Sequence, residues 1–320
     1  MVWLYVADWS KSVGRLTVQK GLRYQQDDIG AGKMGQIEQS YLRQAESEML
    51  MGLPSRYTQP GSIDNWRHTR MLDLTRPIWE SFPESQWITV GDGRYGSDAA
   101  YLHSHGVKVI ASSLTDDKLK HAHERGYIPA FQAENAEHIS LPDNAVDFVL
   151  CKEAYHHFPR PPIALYEMLR VAHIGVVLIE PLDNPKLLDG VKRLLKRAIR
   201  GDREMQFEPS GNFLYRLNVR ELGKLMTAMG GEDMAFKGIN DFFHARLGGH
   251  PARGFNIGYV VTRLGIATQN VLSRLGLLGY GLGCVVVFKP GVGEEILAPL
   301  RQSGFVYIEL PKNPYVGQHD

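Results

Sequence analysis

The stretch Thr89-Val90-Gly91-Asp92-Gly93-Arg94-Tyr95-Gly96-Ser97-Asp98 constrains this chain more than any other. An apolar run, Trp87 to Val90, leads into it, and a helical pattern, Asp98 to Leu102, leads out. A strand, a glycine-rich turn and a helix are the opening unit of an α/β nucleotide-binding fold. Glycines suit such a turn because it bends sharply and lets backbone N–H groups approach a ligand. The helix N-terminus behind it favours polar or anionic groups. The G-x-G-x-x-G spacing alone is common in ordinary turns, so its meaning depends on the segments C-terminal to it.

Those segments carry further strand and helix signals at α/β spacing. Strands are expected at 107–111, 127–131, 146–151 and 176–179, with helices at 116–125, capped by Thr115, and at 163–171. Leu141-Pro142-Asp143-Asn144 is a turn by composition. The loop 152–162 holds Glu153, Tyr155, His156 and His157, and the fifth strand runs into Glu180-Pro181. Strands alternating with helices imply a parallel sheet covered on both faces.

The run LPDNAVDFVLCKEAYHHFPRPPIALYEMLRV, followed by GVVLIEP, resembles the middle of class I S-adenosylmethionine-dependent methyltransferases, and the glycine turn falls where that family keeps its cofactor loop. The resemblance covers about Trp87 to Pro181 well and extends more loosely to Pro290. It implies a Rossmann-like, seven-stranded, mostly parallel α/β sheet with helices on both faces. An N-terminal helical cap would span 1–86, the cofactor-binding domain 87–290, and a C-terminal extension 291–320. Insertions would lie at 186–215 and 245–282, near the sixth (234–239) and seventh (283–288) strands, which form an antiparallel pair in that fold. The implied cofactor is S-adenosyl-L-methionine. Gly91, Asp92, Gly93 and Gly96 would line its methionine side, Ser113 its ribose, and Gln132, Ala133 and Glu134 its adenine, with Thr89 and Glu153 adjoining.

Three positions depart from the family pattern. Acids usual two residues before the first loop glycine, at the end of the second strand and after the third are here Thr89, Ser113 and Gln132. Neutral groups hydrogen-bond more weakly than carboxylates, and Asp92 could take over one role. These departures keep open a catalytically silent homologue. The glycine spacing also keeps open a nicotinamide-dependent oxidoreductase, to which Ser113 would equally be suited.

If the acceptor is a hydroxyl, a base must take its proton, and His156 or His157 is placed for this at the carboxyl edge of the sheet. Either histidine could instead cap a helix or pack on the cofactor. Tyr155, Asn212, Asn240, Asp241 and His244 are candidates for acceptor contact, since Asn and Asp beside aromatics suit sugar hydroxyls as well as ordinary turns. FEPSGNFLYRLNVREL and FKGINDFF are similar to methyltransferases of bacterial surface-polysaccharide pathways, which points to a carbohydrate or glycan-precursor acceptor; another small molecule or a lipid is the alternative.

Composition bounds the rest. A chain of 320 residues, 43% hydrophobic, can bury a sizeable core. A net charge of +1 gives no reason to expect a nucleic-acid partner. Cys151 and Cys284, the two cysteines, each lie in an apolar strand pattern and read as reduced core residues. No metal-binding cluster is expected. The N-terminus lacks the marks of a signal peptide, so a cytoplasmic location is expected. A helix is expected at 37–53, one or two more at 66–82, and a helix with a short strand between Glu294 and Tyr307. Residues 186–200 read as an amphipathic helix with Lys192, Arg193, Lys196, Arg197 and Arg200 mostly on one side. Such a helix could make a peripheral membrane contact or bind an anionic acceptor, and equally suits a solvated face. The apolar, glycine-rich 256–282 could be a homodimer surface, an acceptor lid or a membrane-facing patch.

Overall fold

The computed structural model describes residues 35–50, 59–191, 207, 212–231, 233–244, 246–291 and 293–314. Helix α1 (Gln36–Leu50) comes first, then α2 (Ile63–Leu72) and α3 (Arg76–Ser81). The α/β series follows: β1 (Gln86–Val90), α4 (Ser97–Ser104), β2 (Lys108–Ser113), α5 (Asp117–Glu124), β3 (Phe131–Ala133), β4 (Val146–Lys152), α6 (Pro161–Val171) and β5 (Ala172–Pro181). The remaining elements are α7 (Val219–Ala228), β6 (Asp233–Ile239), α8 (Ile257–Arg274), β7 (Leu282–Phe288), α9 (Glu294–Gln302) and β8 (Val306–Glu309).

The strands form one sheet in the order β3-β2-β1-β4-β5-β7-β6-β8. β1 to β5 run parallel, while β7 is antiparallel to both β5 and β6, and β8 is antiparallel to β6. The sheet therefore has eight strands rather than the expected seven. The extra strand pairs Val306 to Glu309 with Phe236 to Asp233 and covers what would otherwise be an open edge.

Strand alternation divides the core in two. Trp87, Phe148, Leu150, Val177, Ile179, Cys284, Val286 and Phe288 point to one face, against α2 to α5 and α9. Ile88, Val90, Val149, Cys151, Val176, Leu178, Val285 and Val287 point to the other, against α6 and α7. A one-residue slip would exchange these sets, so burial on both faces fixes the register. Each large apolar side chain removed from water contributes about 1.5–3 kcal/mol. Both cysteines are free and buried.

Several boundaries differ from expectation. The third strand begins at Phe131, not Tyr127. Tyr127 N–H still closes the preceding helix on Ala122 O, Ile128 O accepts from His123, and Pro129 has no N–H to give a ladder. The N-cap of α5 is Asp116 rather than Thr115. The fifth strand is longer, starting directly at the end of α6. The glycine-rich 256–282 holds one helix, α8; a Cβ on its Gly265 would stand 2.7 Å from the Phe242 ring, so that glycine permits close packing.

In chain order the sheet grows outward from β1 to β3, returns to β4 beside β1, and grows the other way. This reversal between β1 and β4 opens a crevice at their carboxyl ends, where open α/β sheets bind ligands.

Candidate functional site at the carboxyl edge of the sheet

Two segments flank the crevice. After β1, the chain turns through Gly91 (φ +79°), Tyr95 (φ +69°) and Gly96 (φ +66°) into α4. A Cβ on Gly91 would lie 2.5 Å from the Ala154 Cβ, so this glycine is required both by its left-handed backbone and by the approach of the loop after β4. Asp92 does not face outward. Its carboxylate accepts from Thr89 Oγ1 (3.1 Å) and from the N–H groups of Asp98 (3.2 Å) and Ala99 (2.9 Å) at the start of α4. Burial, with Asp98 close by, pushes its carboxyl up to about 8 against those donors. Thr89 thus supports the turn through Asp92, and Ser112 Oγ donates to Thr89 O (2.6 Å) across to β2.

Ser113 ends β2, buried, and its carbonyl accepts from Glu134 N–H (2.8 Å). Gln132 Nε2 donates to Glu134 Oε1 (3.0 Å), and Ser140 N–H donates to Glu134 Oε2 (2.8 Å). Ala133 is exposed between them. The expected ribose and adenine residues are therefore brought together beside the crevice, with Gln132 and Glu134 bound to each other.

The loop after β4 is richer in ionisable groups. Lys152 Nζ lies buried 3.2 Å from Asp98 Oδ1 and 3.5 Å from Glu153 Oε2. Burial works against the Lys152 charge, but Asp98 and Glu153 outweigh it and raise its pKa. Glu153 adopts a left-handed backbone (φ +49°) and receives His68 Nδ1 at 3.3 Å. Burial opposes its charge too, yet Lys152, His68 and Arg94 hold its carboxyl well below the usual range. His68 itself is driven well below the ordinary histidine value by burial and by Lys152. Glu153 Oε2 is nonetheless a buried acceptor with no hydrogen bond. The Glu153 side chain is still 23% accessible, and a carboxylate beside the glycine turn fits the ammonium of an amino-acid group.

Beyond Glu153 the backbone makes one 3-10 turn, Tyr155–His157. Glu180, fully buried at the end of β5, accepts from Ala154 N–H (2.8 Å) and Tyr155 N–H (2.9 Å) through Oε1. Its Oε2 stands 2.5 Å from His156 Nδ1. A proton on His156 Nδ1 would be donated to Glu180 Oε2, which would leave Nε2 as the unprotonated ring nitrogen. The His157 ring lies against that of His156, centroids 3.8 Å apart. The His157 carbonyl accepts from Gln44 Nε2 (2.7 Å) on α1 and from Asn212 Nδ2 (2.7 Å), and Ser40 Oγ donates to Asn212 Oδ1. Helix α1 therefore caps this loop.

The other candidates serve as fasteners in this structure. Tyr155 is buried against Phe158 and Tyr215. Asn240 Nδ2 donates to Asn270 Oδ1 (3.1 Å) and Ser273 Oγ (3.0 Å), and its Oδ1 accepts from Gly281 N–H (3.0 Å), which ties β6 to α8 and β7. Asp241 is clamped by Arg67, whose Nε lies 2.8 Å from its Oδ1 and whose Nη1 lies 2.8 Å from Asp64. His244 is exposed, at the far end of this segment. The basic positions Lys192, Arg193, Lys196, Arg197 and Arg200 lie outside the described residues; 187–191 are helical. Among the described residues no cluster could hold a metal ion, and no helix is long and apolar enough to cross a membrane.

Sequence reasoning does not find Arg67, His68, Asp98, Lys152, Ser40 or Gln44. Arg67 carries a legible signal: it falls between Ile63 and Met71 on the buried stripe of α2, where a charge needs partners. The others reach the site through tertiary packing and leave no local pattern.

Residues 88–179 match a protein family described as a methyltransferase domain. No curated protein is similar to the chain in sequence. Among solved structures, the chain is similar to a SAM-dependent methyltransferase from Archaeoglobus fulgidus (16% identity, 70% of this chain, 94% of that one, TM-score 0.45). It is also similar to the YcgJ protein of Bacillus subtilis (21% identity, 70% and 100% covered, TM-score 0.45). A third is a SAM-dependent methyltransferase from Thermotoga maritima (17% identity, 80% and 100% covered, TM-score 0.44).

Proposed function

We propose that this chain, whose residues 88–179 match a methyltransferase domain, is a class I S-adenosylmethionine-dependent methyltransferase that methylates a hydroxyl group of a carbohydrate or glycan precursor. The observation that carries the hydroxyl reading is the Glu180–His156 pair in the loop after β4.

The cofactor would lie along the turn Gly91–Gly96, with its ammonium toward Glu153, its ribose toward Ser113 and its adenine toward Gln132, Ala133 and Glu134. When bound, it supplies a methyl group on a sulfonium, primed for in-line displacement. The chain's own residues do the rest. The cap formed by α1 and the loop 152–160 restricts water and holds an acceptor near the crevice; such positioning contributes several kcal/mol, up to about 7–11 for ideal alignment. His156 would take the proton of the acceptor hydroxyl at Nε2 as the methyl carbon exchanges its bond to the sulfonium sulfur, which leaves as a neutral thioether, for one to the hydroxyl oxygen. Glu180 then faces an imidazolium and stabilises it, while the N–H groups of Ala154 and Tyr155 hold Glu180 in place. His157 is the alternative base, its ring tilted against that of the first. Asn212, which joins the cap to the His157 carbonyl, is the acceptor candidate that bonds this loop from outside it.

The carbohydrate class rests on the likeness of the segments 207–222 and 236–243 to polysaccharide-pathway methyltransferases. An isotope-labelled methyl-transfer assay against cell extracts, with mass spectrometry of the product, tests it. A labelled glycan methyl ether is expected. A labelled amine, carboxylate or lipid would overturn the acceptor, and absence of cofactor binding by calorimetry would overturn the whole reading.

A further inference from the structure

Helix α8 presents its apolar side to the solvent. Its inner side is Gly258, Thr262, Ile266 and Ser273, all buried. At 100° per residue, Ile257, Val260, Val261, Leu264, Thr268 and Val271 fall in a stripe about 100° wide on the opposite side. Ile257 is 80% exposed, Leu264 62% and Val271 55%; Phe255 before the helix is 98% exposed and Leu275 after it 66%. Leu187 continues the patch, since Leu188 N–H donates to Leu277 O (3.0 Å) just past the helix. Isolated exposed apolar residues need no explanation, but a contiguous row of this kind marks a contact surface.

Charge identifies the partner. Between Asp241 and Glu294 the sequence contains no acidic residue, while Arg246, Arg253, Arg263 and Arg274 all lie in this span. All four are exposed. Arg263 and Arg274 fall along one edge of the apolar stripe. The chain as a whole is nearly neutral, with net charge +1, so this region is a local segregation of positive charge around an apolar row. A second copy is a poor fit: a two-fold contact between the α8 faces would set Arg263 and Arg274 against their copies, with no acidic residue in α8 itself to receive them. An apolar row that enters the acyl boundary, edged by arginines at headgroup level, is the chemistry of an anionic lipid surface.

We propose that the outer face of α8, with Phe255 and Leu275 at its ends, seats the protein on an anionic membrane surface. The contact is peripheral, and it places the sheet above the bilayer with α8 lying in the interface. The proposal is independent of the acceptor assigned above.

The test is flotation of the full chain with vesicles of phosphatidylcholine containing phosphatidylglycerol, beside vesicles of phosphatidylcholine alone. The wild type is expected to float with the anionic vesicles and to be released as salt rises. Leu264→Glu combined with Val271→Glu, at exposed positions that leave the core intact, should weaken partitioning at least about tenfold. Arg263→Gln and Arg274→Gln should each weaken it about fivefold on anionic vesicles and leave the neutral ones unchanged. Circular dichroism of the variants confirms that they fold. Absence of flotation with anionic vesicles overturns the proposal, as does binding indifferent to all these variants. A dimer in solution that Leu264→Glu and Val271→Glu dissolve, without vesicle binding, would show instead that the face joins two copies.

Discussion

The turn at Gly91–Gly96 meets the crevice with backbone, whereas the loop at Lys152–Arg160 meets it with side chains. In the turn, Asp92 is drawn inward to the N–H groups of Asp98 and Ala99, and left-handed residues set the path. In the loop, Glu153, His156 and Lys152 are ionisable groups held by partners from β5, α2 and α4. In the proposed reaction the first segment would receive the cofactor and the second would move the proton. They meet where Gly91 abuts Ala154 and where Lys152 pairs with Asp98 at the start of α4, so a change in one is felt by the other.

The largest effect should come from the loop. His156→Gln is expected to lower turnover by about 10²–10⁴-fold while cofactor affinity stays within a few-fold, and to remove the acid limb of the pH–rate profile. His157→Gln should do less, because Glu180 contacts its neighbour. Equal losses in both variants, or none, would break the division of labour between turn and loop.

Within the turn, Gly91→Val should cost about 2–4 kcal/mol, seen as a lower denaturation midpoint, since it combines a left-handed backbone with a clash at Ala154. Gly93→Val should instead abolish S-adenosylmethionine binding in calorimetry while the fold persists. If Gly91→Val left stability untouched, the contact between the two segments would not be what shapes the crevice.

Asp92→Ala is expected to destabilise the protein by about 1–2 kcal/mol, because two N–H groups at the start of α4 lose their acceptor. A loss of cofactor affinity with unchanged stability would show that Asp92 faces the ligand after all.

The smallest effect is a pH dependence of stability. Unfolded, His68 takes a proton near pH 6.5; folded, it resists until well below that. Its contribution is therefore fully present above about pH 6.5 and is lost as pH falls toward the folded value, with a slope of at most about 1.4 kcal/mol per pH unit. Glu153, also depressed, acts the same way at lower pH, below the usual carboxylate range. Chemical denaturation of His68→Gln across this window should lose the upper part of the slope. An unchanged slope would mean that His68 is not held neutral beside Lys152.

Much of the fold is legible in the residues alone. The apolar runs at β1, β4, β5 and β7 are buried on both faces, so periodicity does not have to compete with solvent exposure, and only their ends shift by a few residues. The third strand is displaced from its expected place because Tyr127 and Ile128 have the character of strand residues but close a helix and fill the core. The eighth strand is readable as a strand, but its place in the sheet is not, because edge pairing depends on where β6 ends up. Asn240 and Asp241 suit acceptor contacts by composition, while their partners, Asn270, Ser273 and Arg67, are distant in sequence.

The sequence by itself determined the alternation of strands and helices, the glycine turn and the two adjacent histidines, because each is local: backbone sterics, apolar periodicity and residue type act over a few neighbours. Tertiary structure alone decided that Glu180 rather than Glu153 holds His156, that α1 caps the loop through Gln44, and that α8 turns its apolar row outward. Those outcomes depend on which elements pack against which, and no short-range pattern encodes a distance of 2.5 Å between side chains 24 residues apart.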